Sequence, residues 1–298
     1  MLAAIHLLCE GTHAALIDVC TSRSVPKILG ALRTKGIAPE RVGYLILTHL
    51  HLNHAGGAGA MLRHLPNAQV VVHPRGARHM IDPSRLIADT ISVYGETVFH
   101  EEHSEVVPIS PERVIETHDG LTLDLNGRTL LFLDTPGHAR HHHCVFDARS
   151  RSFFTGDSFG ISYRELDAGP EECIFPTSSP NQFDPDAAHT TIDRLMGYAP
   201  EYMFLAHFSR VGHTGRLAAD LHRLIEAHAA LGERLRDAGP ARDRLLEDGV
   251  REIRVDHVEA HGAGLSRKRI LDVIGMDIEL NAQGIGAWLD SRTAAPMP

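Results

Sequence analysis

Three histidines lie close together near residue 50, in the segment T-H-L-H-L-N-H. His49 and His51 are two positions apart, so the extended end of a strand would direct both side chains to the same side. His54 follows at the turn into the next segment, and Gly56-Gly57 allow that turn to bend tightly. Because imidazole is the most common metal ligand in proteins, this spacing predicts a metal site rather than unrelated surface or core histidines.

Three more candidate ligands follow predicted strands elsewhere in the chain. They are His138 in D-T-P-G-H, Asp157 in F-T-G-D-S and His207 in L-A-H-F. Polar side chains on loops that a rigid strand supports are where binding chemistry concentrates. Imidazoles with one carboxylate suit zinc or iron far better than calcium or magnesium. We therefore expect one or two Zn ions at these positions, with Fe or Mn as alternatives.

The elements that must position these residues are short strands separated by turns and helices. Asn126-Gly127 is a strong hairpin signal, because this pair supplies the positive φ angles of a two-residue turn. Ser24 and Asp184 are each followed by a proline at a helix start, which predicts helices over 24–36 and 184–196. The predicted strands cover 14–19, 41–47, 69–73, 121–125, 128–133, 144–147, 152–155 and 202–206. This mixture predicts an α/β (α+β) fold.

The pattern becomes helical from Thr214 onward. Leucine and isoleucine recur at helical spacing over 217–225, and further helices are predicted near 241–259 and 266–276, with a last segment ending at 289. We assign residues 1–213 to one domain and residues 214–298 to a helical C-terminal extension packed on it. A stripe this apolar needs a partner surface, so we expect these helices to wall a substrate pocket or to form a homodimer contact.

The motifs THLHLNHAGG, TPGH, FTGDS and LAHF occur in the same order as the metal-binding motifs of the metallo-β-lactamase superfamily. Over residues 14–207 the chain resembles that family, and most of all its glyoxalase-II and lactonase branch. Asp18, in LIDVCT, resembles the aspartate of an early segment of the family. The resemblance implies a four-layer αββα sandwich, a metal-binding site and a hydrolytic activity.

The resemblance also implies a role for each ligand. His49, His51 and His138 would hold the first metal, His54 and His207 the second, and Asp157 would bridge both. In such families a metal-bound water is the nucleophile and the metals polarise the substrate carbonyl.

Two features depart from the family pattern. Asn53 stands where the family has a metal-ligating aspartate. An amide is neutral, is a weaker ligand and cannot accept a proton, so we expect the second metal, the hydrolysis or both to be weakened. Asp157 and Asn53 are the candidate catalytic positions. The second departure is that only thirteen residues precede the predicted strand at 14–19, where the family usually has another strand or two. We therefore expect either a shortened first sheet or a truncated start.

A substrate pocket is predicted more weakly than the metal site. Phe159, Tyr163 and Arg164 follow Asp157 on a loop that would face the site, where an arginine would suit an anionic substrate. An ordinary loop with a solvated arginine explains them equally well. His142 falls where related chains carry a further histidine, where it would donate a hydrogen bond to a ligand. A merely packed or solvated histidine explains it equally well. His73 is expected to be a core histidine.

Composition narrows the function classes. The formal net charge of −9 disfavours a nucleic-acid partner, and no apolar stretch is long enough to span a bilayer. Four scattered cysteines and no signal-peptide pattern predict a cytoplasmic protein. We expect a hydrolase of a small-molecule ester, thioester or lactone. The alternatives are a non-haem iron redox protein, either persulfide dioxygenase-like or di-iron oxygen-handling, and a non-catalytic metal-binding relative.

Overall fold

The computed structural model describes residues 3–102, 105–179 and 181–293. The chain divides into two units. The N-terminal unit comprises the residues up to Asp134 and the segment His141–Gly156, and the C-terminal unit comprises Thr135–Arg140 and the residues from Asp157 onward. The last five residues of the predicted extension, 294–298, lie outside the described residues.

The first sheet of the N-terminal unit has the strand order β1-β2-β3-β4-β5. The first two strands are antiparallel and the others are parallel. These strands are β1 (His6–Glu10), β2 (His13–Ile17), β3 (Val42–Ile46), β4 (Gln69–Val72) and β5 (Val114–Glu116). The helices of this unit are α1 (Val25–Thr34), α2 (Leu52–Ala55), α3 (Ala58–Leu62), α4 (Pro74–Ile81), α5 (Ser84–Tyr94) and α6 (Glu96–Glu102). Strand β1 was not predicted, and it precedes the segment expected to begin the sheet.

A second set of strands in the same unit is an antiparallel meander. Its members are β6 (Thr122–Leu125), β7 (Arg128–Asp134), β8 (His143–Asp147) and β9 (Ser152–Gly156). The predicted Asn126-Gly127 turn joins the first two, with φ angles of 52° and 85°. Hydrogen bonds join the meander to the first sheet, as Tyr44 Oη donates to the carbonyl of Asp124 at 3.2 Å.

The C-terminal unit contains two small strand pairs and four helices among its described residues. Strands β10 (Ile161–Ser162) and β11 (Ile174–Phe175) pair with each other, and β12 (Tyr202–Leu205) pairs with β13 (Ser209–Val211). The helices are α7 (Pro185–Met196), α8 (Thr214–Leu235), α9 (Arg242–His261) and α10 (Arg267–Thr293). Asp184 caps α7 as predicted, since its side chain accepts from the backbone N–H of Ala187.

Helix α10 is longer than the sequence indicated. One continuous helix runs over Arg267–Thr293, where two separate segments were predicted. Three glycines break the apolar pattern in this stretch, and Gly284 shows why at least one is needed. A Cβ there would lie 1.6 Å from the backbone oxygen of Ser178, so only glycine permits this close approach. The apolar stripe of α8 is buried at Leu217 and Leu224, as its spacing predicted. Among the described residues, every helix is too short or too polar to cross a membrane.

Candidate metal centre

His49, His51 and His54, here called the histidine cluster, come from one segment of the N-terminal unit. Strand β3 ends at Ile46, and the chain passes through Thr48 into helix α2. His49 and His54 are fully buried, with ring centroids 4.1 Å apart. His49 Nε2 lies 2.9 Å from His51 Nδ1. The strand end therefore brings the three rings together, as their spacing predicted.

Asp18 organises the histidine cluster from the end of β2. This carboxylate is 1% exposed and accepts hydrogen bonds from the backbone N–H and the Oγ1 of Thr48, both at 2.8 Å. Its Oδ2 also lies 3.1 Å from His54 Nδ1. A carboxylate that accepts from one ring nitrogen fixes the tautomer of a histidine and makes the other nitrogen a better ligand. Asp18 thus favours the tautomer in which the lone pair lies on His54 Nε2, as a metal ligand requires.

Two further histidine rings pack beside this cluster. His142 is fully buried, and its ring stacks on that of His49 with centroids 5.0 Å apart. The backbone N–H of Leu50 donates to His141 Nδ1 at 3.4 Å. Gly156, at φ 49°, leaves room for this packing, because a Cβ there would lie 2.5 Å from His142 Nε2. His142 is therefore a neighbour of a candidate ligand and not a solvated bystander.

Asn53 lies within α2, directly before His54, and is half-buried. The position that carries an aspartate in the family pattern therefore belongs to the same short helix as a candidate ligand.

His138, Asp157 and His207, here called the aspartate cluster, come from three segments of the C-terminal unit. His138 Nε2 lies 3.5 Å from one carboxylate oxygen of Asp157, and His207 Nε2 lies 3.7 Å from the other. All three residues are buried, with exposures of 4%, 6% and 8% in chain order. The carboxylate therefore stands between two imidazoles, which is an arrangement suited to a shared cation.

Thr177 contacts two members of this cluster. Its backbone oxygen lies 3.3 Å from His138 Nδ1, and its Oγ1 donates to the backbone oxygen of Asp157 at 2.9 Å. With Nδ1–H donated to a carbonyl, His138 presents the lone pair of Nε2 toward Asp157. The donor set thus fits a transition metal in both chemistry and tautomer.

A family model of the metallo-beta-lactamase superfamily matches residues 3–207. The chain belongs to this superfamily. The metallo-beta-lactamase fold-containing protein ST1585 of Sulfurisphaera tokodaii is 24% identical over 209 residues, which are 69% of this chain and 72% of that protein. The crystal structure of ST1585 has a TM-score of 0.61 at 23% identity, covering 74% of this chain and 79% of that one. The metallo-beta-lactamase family protein TTHA1429 of Thermus thermophilus has a TM-score of 0.63 at 20% identity, covering 92% and 89%.

Other similar proteins have named activities. An N-acyl homoserine lactonase of Bacillus thuringiensis is 26% identical over 170 residues, which are 57% of this chain and 56% of that enzyme. An atrochrysone carboxyl ACP thioesterase of Aspergillus fumigatus is 26% identical over 154 residues, or 51% of this chain and 28% of the thioesterase. The peroxy diiron form of the chemotaxis sensor ODP shares the fold, with a TM-score of 0.56 at 11% identity, covering 74% of this chain and 86% of that one.

These matches confirm the predicted fold class, the metallo-beta-lactamase αββα sandwich with a helical C-terminal extension. Several members of both clusters also offer ligand atoms of the kind that hold metal ions, namely His49, His51, His54, His138 and Asp157. This protein therefore carries several candidate metal ligands of the type its superfamily uses.

The weaker pocket candidates have different surroundings. Phe159 is fully buried and Tyr163 is 2% exposed, so neither is an ordinary solvated loop residue. The Arg164 side chain is 42% exposed and forms an ion pair with Asp167 at 3.2 Å. That exposure matches the description of a solvated arginine better than that of an anion-binding group.

His73 lines a cavity of about 170 Å³ in the N-terminal unit, together with His143 and Asp134. Both ring nitrogens of His73 have partners, since Nδ1 accepts from the backbone N–H of Arg75 and Nε2 lies 3.0 Å from Asp134 Oδ1. Burial lowers the pKa of His143 to about 3, so this ring stays neutral. His73 is therefore a buried histidine with satisfied hydrogen bonds, as the sequence led us to expect.

Sequence reasoning missed two charged residues of the C-terminal helices. Arg254 on α9 is fully buried, and Asp277 on α10 hydrogen-bonds to Tyr163. A signal was present, because Asp277 and Asn281 fall four residues apart on a helix whose neighbours Ile274 and Ile278 are buried. Polar residues on a buried helix face need partners, and here Asn281 Oδ1 accepts from the backbone N–H of Ser178 at 2.6 Å.

Proposed function

We propose that this chain is a metal-dependent hydrolase that acts on an ester, thioester or lactone carbonyl of a small molecule. Membership of the superfamily supports the metal chemistry. The similarity to a lactonase and to a thioesterase supports carbonyl hydrolysis, although each covers little more than half of this chain. The observation that carries the proposal concerns the tautomers of two candidate ligands. In both His54 and His138, Nδ1 lies within hydrogen-bonding distance of an oxygen, which leaves Nε2 as the nitrogen that would bind a metal.

Both clusters take part in the proposed metal centre. His49, His51 and His138 would hold the first ion, His54 and His207 the second, and Asp157 both. A bound metal would lower the pKa of a water ligand and polarise the substrate carbonyl. Asp18 keeps His54 in the tautomer that binds through Nε2, and the backbone oxygen of Thr177 does the same for His138.

Asn53 limits what the second position can do. Its amide brings no negative charge to balance a second cation and accepts no proton from an attacking water. We therefore propose a centre that holds one ion tightly and a second ion weakly. The rate of hydrolysis should be lower than with an aspartate at position 53.

The test begins with protein purified without added metal. Its metal content is measured, the metal is removed with a chelator, and Zn, Mn or Fe is restored before assays with p-nitrophenyl acetate, an acyl thioester and a γ-lactone. His49→Ala is the informative variant, and His64→Ala, an exposed histidine of the same unit, is its control. We expect metal-dependent hydrolysis in the wild type and in the control, and its loss in His49→Ala. Full metal occupancy without turnover on any of the three substrates would contradict the proposal.

The same protein also tests a redox function, which Asn53 favours. Without the aspartate, a mononuclear iron centre of histidines and one carboxylate is chemically reasonable. Iron as the main purified metal, with oxygen consumption in the presence of a persulfide and no hydrolysis, would replace the hydrolase proposal by this one.

A further inference from the structure

The turn after His207 has an unusual backbone. Phe208 and Ser209 have φ angles of 76° and 68°, in the left-handed region that non-glycine residues rarely occupy. Such conformations persist only where the surrounding structure imposes them, and they cluster at functional sites. His207, a member of the aspartate cluster, is therefore held at the start of a strained turn.

Three contacts hold this turn within the C-terminal unit. Leu205 pairs with Ser209 across the β12–β13 hairpin. The backbone N–H of Ser162 donates to the carbonyl oxygen of His207 at 3.4 Å. Finally, the ring of Tyr163 packs on the ring of Phe208, with centroids 5.0 Å apart. Tyr163, which follows Asp157 in the same loop region, therefore supports the turn that follows His207.

Helix α10 fixes this tyrosine. The hydroxyl of Tyr163 donates to the carboxylate of Asp277, a partner 114 residues away in the sequence. The Asp277 side chain is only 14% exposed. The phenol is thus anchored at its far end while its ring supports Phe208.

Arg254 gives Asp277 a cationic neighbour. Its Nη1 lies 4.0 Å from the Asp277 carboxylate, and its Nη2 donates to the backbone oxygen of Pro176 at 2.9 Å. Within the part of the chain that the structure describes, Nε and Nη1 of this fully buried guanidinium have no hydrogen-bond partner. A buried cation with so few partners is costly unless a carboxylate is near. The side chains of Arg254 on α9 and Asp277 on α10 therefore lie at the outer limit of an ion pair.

The electrostatics of Asp277 connect it to the aspartate cluster. Burial and, to a smaller extent, the negative charge of Asp157 together raise the pKa of this carboxyl to about 7. The charge at Asp157 is therefore felt on α10, a helix outside the segment that matches the superfamily model.

We propose that Asp277 is a positioning residue which, through Tyr163 and Phe208, fixes the turn that presents His207 to the second metal position. The C-terminal helices then contribute to the affinity of the second metal position. The claim that this turn presents His207 to a metal rests on the proposed function, because that proposal assigns His207 as a ligand. The claim that Asp277 fixes the turn concerns only the conformation of the protein.

The conformational half is tested by hydrogen exchange on metal-free protein. The variants are Asp277→Ala, Asp277→Asn and Tyr163→Phe. The control is Asp290→Ala, which removes an ion pair to Arg242 from an exposed position of the same helix. We expect Asp277→Ala and Tyr163→Phe to raise exchange at residues 207–211 on the order of 10-fold, because each removes the part-buried hydrogen bond between the phenol of Tyr163 and Asp277. Asp277→Asn, whose amide still hydrogen-bonds to the phenol, should restore most of the protection.

The metal half is tested by titrating the same variants with Zn²⁺ in competition with a chelator. We expect the weaker ion to lose roughly 10–100-fold in affinity in Asp277→Ala, while the tighter ion changes little. Exchange at 207–211 equal to that of Asp290→Ala would overturn the inference, and Tyr163→Phe keeps the test available if Asp277→Ala does not fold. A different result would be raised exchange in Asp277→Ala with unchanged metal affinity in both Asp277→Ala and His207→Ala. That result would support the role of Asp277 in fixing the turn and would refute His207 as a ligand.

Discussion

The two clusters are built in different ways. The histidine cluster comes from one stretch that runs from the end of β3 into α2, and a single buried carboxylate, Asp18, holds both Thr48 and His54. The aspartate cluster comes from three stretches, and its supports are a backbone oxygen, a strained turn and helices near the end of the chain. The candidate ligands of the first cluster share one segment, and side chains from elsewhere in the same unit support them. The members of the second cluster share no segment, so tertiary contacts alone bring them together.

The largest expected effect concerns the packing of the histidine cluster. In Gly156→Ala the new Cβ would lie 2.5 Å from His142 and 2.7 Å from Thr48. Overpacking of this kind costs about 1–3 kcal/mol, and the left-handed backbone adds about 1–2 kcal/mol. Gly120→Ala is the control, since it has φ 80° but no atom within 4 Å, and should show the backbone cost alone. Urea unfolding measures both, and equal losses would mean that the cluster tolerates repacking.

The spacing of the histidine cluster could be interpreted from sequence because its ligands share one segment. The Asn126-Gly127 hairpin was predictable for the same reason, since its turn chemistry is local. Strand β13 was not, because its residues Ser209–Val211 lack an apolar run and are a strand only by pairing with β12. The Tyr163–Asp277 contact joins residues 114 positions apart, and nothing in either local sequence specifies the other.

A second test compares the carboxylate support of one cluster with the hydroxyl support of the other. Asp18→Asn removes the charge that orients His54, and we expect metal affinity to fall roughly 10–100-fold. Thr177→Val removes one neutral hydrogen bond to the backbone of Asp157 and leaves the carbonyl that orients His138. Its effect should stay below about 10-fold. Chelator competition gives both values, and a larger loss in Thr177→Val would reverse the comparison.

A further comparison of two buried groups concerns the pH dependence of stability. The raised pKa of Asp277, about 7 against 3.8, means that its stabilising contribution is complete below the unfolded value and is lost as pH rises toward 7. The lowered pKa of His143, about 3 against 6.5, has the opposite sign, so its contribution is lost as pH falls.

Urea unfolding of metal-free protein between about pH 4 and 7 separates the two. Asp277→Asn should become more stable relative to the wild type as pH rises across this range. In His143→Gln the loss of stability on acidification should be smaller than in the wild type. Parallel pH curves for the wild type and both variants would show that neither group titrates as its burial requires.

The most direct test of the proposed metal centre is the number of ions that each chain binds. Wild type and Asn53→Asp are titrated side by side with Zn²⁺ against a chelator, and bound metal is counted by elemental analysis. Asn53 is not one of the three histidines assigned to the first ion, so its neutral amide should weaken only the second ion. The wild type should therefore hold one ion tightly and a second weakly. A new carboxylate should tighten the second ion by at least about 10-fold and bring the stoichiometry toward two. Two ions bound with equal, high affinity in the wild type would contradict this account.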